Sequence, residues 1–168
     1  MKNKTHGFSL VELLIVVVII GIISAIAVPG FLASRRSANE GSALSSMRIL
    51  HGAQMTYATT FGLNEFAGDI GGGTITAFNV LSGLKLIDDV LGSATKSGYN
   101  HVGGREASSP SAPAQFFFSA IPLSIDPLTR TGDHRFGIAT DGVMRSDTTV
   151  NAQYADTAAT LLAPPHGN

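Results

Sequence analysis

The sequence predicts an α+β protein in which one long N-terminal helix carries a small antiparallel sheet. Three observations lead there. Residues 8–28 form an apolar run with a single charged side chain, Glu12. Behind Pro29 the apolar residues Leu44, Met47, Leu50, Ala53, Tyr57 and Phe61 recur at spacings of three and four, which is helical periodicity. Between residues 97 and 147, β-branched and aromatic segments alternate with Gly, Pro and Asp-Gly punctuation, the pattern of strands joined by turns.

The apolar run sets the class of protein. At 1.5 Å rise, some 21 residues reach roughly 31 Å, about the thickness of a bilayer's hydrocarbon core. A helix is the one single-segment structure that satisfies its own backbone in lipid. A short leader precedes it, residues 1–7, with Lys2, Lys4 and His6. A cleaved secretory signal is the competing reading. Its apolar region would be shorter, about 7–15 residues. An ionised carboxylate such as Glu12 inside such a span costs about 2–3 kcal/mol or more when unpaired. It either snorkels to the near interface or has a partner.

Composition closes several functions. The chain has 168 residues, a net charge of −1 and no cysteine. Disulfide, zinc-ribbon and thiol-redox chemistry are excluded. Without a basic surplus, a charge-driven nucleic-acid role has no support. The five histidines, His6, His51, His101, His134 and His166, have no metal-ligand spacing, so neither metal nor cofactor is expected. Asp126, Asp133 and Asp141 depart from a calcium-loop spacing and read as solvated loop acids. The glycines at 71–73 and the segment 92–97 lack the strand and Gly-Lys-Ser/Thr ending of a phosphate loop. No Gly-x-Ser-x-Gly nucleophile motif is present. No turnover chemistry is expected.

Gly7-Phe8-Ser9-Leu10-Val11-Glu12-Leu13-Leu14, the basic leader before it and the apolar helix with Pro29 behind it resemble the type IV pilins and pseudopilins. The resemblance covers residues 4–37. It implies that a prepilin peptidase cuts between Gly7 and Phe8 and N-methylates the new Phe8 amine. It further implies a structural subunit that polymerises with itself through its N-terminal helix. The other implied partners are the pilus assembly platform and minor pilins. The chain would sit in the bacterial inner membrane as a single-pass protein with a periplasmic head, and in the extracellular pilus afterwards. Charge counting does not fix that orientation, since Arg35 and Arg36 lie beyond the far end of the span; the resemblance does. The alternatives are a pseudopilin of a type II secretion system and, from another class, a membrane-tethered enzyme or binding domain.

Four segments follow: leader 1–7, membrane and polymerisation half 8–30, head 31–147, and tail 148–168. Cleavage would place a positive amine on Phe8, four residues from Glu12. Between neighbouring subunits, amine and carboxylate would register one helix against the next, because an unpaired charge in a low-dielectric core is far more costly than a paired one. Gly21 and Pro29 mark the expected helix kink, since proline removes a donor and crowds the preceding turn. The helix should run from Phe8 to Thr60, about 75 Å, and stop at Gly62. Short helical turns are expected at 77–81 and 87–91, strands at 99–102, 115–121, 135–140 and 143–147, and a hairpin at Asp141-Gly142. That makes three or four strands laid over the helix at 44–61. The aromatics Phe8, Phe31, Tyr57, Phe61 and Phe66 read as packing residues. The tail reads as polar and partly disordered, with a helical turn at 155–162.

Overall fold

The computed structural model describes residues 8–167. Helix α1, Leu10–Thr60, comes first, followed by α2, Thr76–Gly83, and the short α3, Asp89–Gly92. Strands β1, Thr95–Lys96, β2, Tyr99–Glu106, β3, Gln115–Pro122, β4, Arg135–Ala139, and β5, Met144–Asp147, form one antiparallel sheet in sequential order. A last helix, α4, covers Thr157–Leu162. By internal contacts the chain divides into one unit up to Arg35 and a second from Arg36 onward.

The second unit is the sheet-bearing one. Its core joins Ala43, Met47, Leu50 and Ala53 of α1 to Phe78 and Leu81 of α2 and to Phe116, Phe118 and Ala120 of β3. Alternate residues of β3 face the other way. There Phe117 and Ser119 are equally buried, and Ser119 bonds to the C-terminal segment. Both faces of β3 are therefore covered, which explains its unbroken Phe-Phe-Phe-Ser-Ala run.

The sheet has five strands where the sequence suggests three or four. The extra one, β1, is a two-residue strand turned onto β2 by Ser97-Gly98, both with positive φ (49° and 75°). That is the backbone a tight hairpin requires. Strand β2 also runs four residues past the expected end at Val102. Glycines argue against a strand interior, but a Cβ on Gly103 would lie 2.4 Å from the Phe118 ring. The bare backbone is what lets that ring lie across the strand.

Helix α1 is buried on a slightly different face from the one expected. Met47, Leu50 and Ala53 are buried, Leu44 and Tyr57 partly so, and Phe61 is half-exposed. Ser46, Gln54 and Ala58 complete the buried face. Gln54 is admitted because its amide donates to the Ala67 carbonyl at 2.8 Å and accepts the Ala67 N–H at 2.9 Å, so no polar group is left bare. The helix ends at Thr60 as expected, with the N–H groups of Phe61 and Gly62 both donating to the Tyr57 carbonyl. The left-handed residues, however, are Leu63 and Asn64 (φ 48° and 69°). Gly62 serves by lacking a side chain, since a Cβ there would lie 2.1 Å from the Glu65 carbonyl oxygen. The tail is ordered against the sheet: Tyr154, Thr157 and Thr160 are buried.

His101 on β2 is fully buried, and its Nδ1 lies 3.2 Å from the Ala94 carbonyl. Burial pushes its imidazole down to about 4. The unfolded chain takes up this proton near pH 6.5 and the fold only near 4, so between those values the unfolded state binds more protons and stability rises with pH. Acidification from 6.5 to 4 is expected to remove about 3 kcal/mol. Unfolding midpoints against pH should show that slope in the wild type and lose it in His101→Phe. An unchanged slope in the variant would assign the effect elsewhere.

Candidate functional site

The first unit holds the residues that the sequence marks. Ser9 precedes α1, and Glu12 stands in its first turn. Glu12 Oε2 accepts the backbone N–H of Ser9 at 3.0 Å, while the Ser9 carbonyl accepts from Leu13 at 3.3 Å. This is half of a capping box: an acid at the third helical position reaching back to the residue that opens the helix. The Ser-x-x-Glu spacing at 9–12 is its signal in the sequence, one that reading for membrane character passes over. The carboxylate's other oxygen, Oε1, takes no part in that bond. An acid here also faces the positive end of the helix dipole.

Behind Glu12 every large apolar side chain up to Val28 is open, from 46% exposed at Val16 to 77% at Ile26. The most apolar 18-residue window has a mean hydropathy of 3.0, and none of it is buried. Nineteen residues from Leu10 to Val28 reach about 28 Å. At about 25 cal/mol per Å² of apolar surface, such a rod requires cover from lipid or from other helices. Helical structure continues through Gly21 and Pro29. Gly7 lies outside the described residues, whereas Phe8, just before the helix, is exposed.

The other polar candidates are engaged separately. Asp126 accepts from the Leu128 N–H, Asp133 pairs with Arg36 and Arg130, and Asp141 with Arg145. The described histidines are likewise dispersed: His51 lies by Thr140, His101 by Ala94, His134 by Glu40, and His166 by Ser146, while His6 lies outside the described residues. Glu65 ties Arg105 to the β2–β3 loop through Ser108; hydrogen bonds from Ser108, and then the charge of Arg105, hold its carboxyl below the usual range. These contacts brace the second unit.

An uncovered apolar helix with one acid in its first turn, running on into a helix that packs against an antiparallel sheet, is a pilin-like α+β arrangement. Comparison with known proteins agrees. Residues 2–28 match the family model described as the prokaryotic N-terminal methylation motif. The type IV major pilin protein PilA of Myxococcus xanthus is 36% identical over 69 residues, which cover 40% of this chain and 31% of that protein. The alignment thus spans under a third of its relative's length. No solved structure gives a significant match. The likeness to known proteins thus lies in the N-terminal part of the chain, where it is similar to type IV pilins.

Proposed function

We propose that the chain is the structural subunit of a type IV pilus filament. The leader, residues 1–7, is removed between Gly7 and Phe8 by a prepilin peptidase, which also methylates the Phe8 amine. Residues 8–30 hold the subunit in the inner membrane, with the head on the periplasmic side. They then polymerise with the same segment of other copies on the assembly platform, where minor pilins join, and the product is extracellular. Glu12 receives the Phe8 amine of a neighbouring copy and fixes the axial offset, while Gly21 and Pro29 supply the place where the helix yields. The role is positional, without turnover.

The observation that carries this reading is the placement of Glu12. It is the only charged side chain in an otherwise uncovered apolar rod, it stands one turn from the new N-terminus, and it keeps one oxygen free of the capping bond. Intact-mass and N-terminal mass spectrometry of the native protein provide the test. The expected result is a chain beginning at methylated Phe8 in cells that contain the peptidase, and at Met1 in cells without it. A mature chain beginning near Ala27 would identify a secreted domain instead.

A further inference from the structure

His134 and His166, far apart in the chain, line one open cavity of about 420 Å³ in the second unit. Its other walls include Ser146, Thr148, Pro164 and Pro165. His134 directly precedes β4. His166 belongs to the C-terminal segment, which runs antiparallel beside β5: Arg145 is bridged to Pro165, and the His166 N–H donates to the Met144 carbonyl at 2.8 Å. Both imidazoles lie beside the ring of Phe136, their centroids 6.4 Å and 5.5 Å from it. Phe136 is fully buried and pairs with Ser146 across β4 and β5.

The two imidazoles are held in the same way. His134 Nδ1 lies 3.2 Å from Glu40 Oε1, and His166 Nδ1 lies 2.8 Å from Ser146 Oγ. A carboxylate only accepts, so in the neutral ring His134 carries its proton on Nδ1 and keeps the Nε2 lone pair. Glu40 is itself fixed by the N–H groups of Asp133 and His134. A serine hydroxyl can accept from Nδ1 too, which leaves His166 Nε2 in the same form. Neither Nε2 has a hydrogen-bond partner among the described residues; His134 Nε2 is not sealed from solvent, and His166 is an exposed residue. The other described histidines differ: His51 Nε2 lies 3.4 Å from the Thr140 carbonyl, and His101 Nε2 is buried. A ring held through Nδ1 by an oxygen, with Nε2 free, is the form in which histidine ligates a metal. Asp147 also lines the cavity, but Arg135, the Thr149 N–H and the Tyr154 phenol occupy its oxygens. Among the described residues no three His, Asp or Glu gather around one point, so water would complete the coordination.

We propose that His134 and His166 hold one transition-metal ion of the zinc, copper or nickel kind through their Nε2 atoms. Imidazole suits these ions, whereas calcium and magnesium take oxygen ligands. The ion ties the C-terminal segment to the start of β4. The site lies wholly within the second unit and stands apart from the pilus reading.

The probe is Zn²⁺, titrated calorimetrically into the full chain in mild detergent. The chain is purified without a polyhistidine tag and carries His6→Gln, so that the leader adds no imidazole. One zinc per chain is expected, with the affinity lowered about ten-fold or more by His134→Gln and by His166→Gln. Metal-free melting checks that both variants fold, and the exposed position of His166 favours its variant. With Cu²⁺ as the probe, pulsed electron paramagnetic resonance should count two imidazoles in the parent and one in either variant. Zinc at about a hundred times its dissociation constant should slow proteolytic clipping after β5 by about 100-fold, where clipping requires the segment to leave the sheet. No zinc uptake by the parent, unchanged affinity in either folded variant, a single imidazole on copper, or equal clipping with and without zinc would overturn the proposal.

Discussion

Glu12→Val is expected to insert into the membrane at least as well as the wild type and to lose fibres by an order of magnitude or more. The two halves of that expectation have opposite physical origins. In the isolated subunit the carboxylate is a cost, about 2–3 kcal/mol of transfer into lipid, and valine removes it. In the packed helical core of the proposed filament the carboxylate would be the partner of a cleavage-generated amine, and removing one member would leave the other charge buried alone, an effect of about 3–5 kcal/mol where such pairs have been broken. Tenfold in an equilibrium takes only about 1.4 kcal/mol, so assembly should respond strongly even if half that energy is recovered by water.

The capping bond supplies a control. Glu12 Oε2 holds the Ser9 N–H at 3.0 Å, and glutamine at the same helical position can make that bond but has no charge to offer an amine. Glu12→Gln therefore separates the two roles. Fibre yield by electron microscopy or shearing should fall with glutamine nearly as far as with valine if charge pairing sets the offset. Full fibre yield from Glu12→Gln, with loss only in Glu12→Val, would reduce the residue to a helix cap. Membrane fractionation of both variants reports insertion independently.

The elements built by periodicity alone were legible in the sequence. The end of α1 at Thr60, the strand at 115–121 and the Asp141-Gly142 turn were marked by patterns that act through local sterics. Gly142 indeed has φ 72°. The features that local pattern missed are those decided by a distant neighbour. Strand β2 continues through Gly103 and Gly104 only because the rings of Phe118 and Phe117 occupy the space that side chains would need. Gln54 is buried only because Ala67, thirteen residues on, presents both a donor and an acceptor. At the candidate site the marked residues were recognisable by type, since a lone acid in an apolar run needs no structure to be seen. The Ser9–Glu12 bond was also written in the sequence, as Ser-x-x-Glu, but the same letters read first as the edge of a membrane span.

Tyr154→Ala is expected to destabilise the second unit by about 3–5 kcal/mol, the range for truncating a large buried aromatic residue. With no disulfide available, the segment after β5 needs a different fastening, and Tyr154 is its centre. The side chain is 3% exposed. Its ring covers Gly137 of β4 so closely that a Cβ there would lie 2.7 Å from it. The Arg135 guanidinium sits 4.0 Å from the ring centroid, a cation–π contact. The phenol donates to Asp147 Oδ2 at 3.0 Å, and that carboxylate also receives Arg135 Nε and Nη2 at 2.9 and 2.8 Å. Burial alone would push the Asp147 carboxyl up, yet the donors from Arg135, the Thr149 N–H and Tyr154 together hold it below the usual range; burial, then Asp147, push the Tyr154 phenol up to about 12. The Tyr154 N–H donates to Ser119 Oγ at 2.9 Å, and Gln153 Nε2 to the Asn100 carbonyl at 3.0 Å. The tail is thereby stitched to β2, β3, β4 and β5. Tyr154→Phe keeps the ring and loses one hydrogen bond to a charged acceptor, so it should cost about 1.5–3 kcal/mol. Thermal unfolding of the full chain in mild detergent should rank wild type above phenylalanine above alanine, and protease should clip the tail of Tyr154→Ala while the fold persists. Equal melting of all three would mean that the tail is held by α4 alone and that the polar cluster contributes nothing to stability.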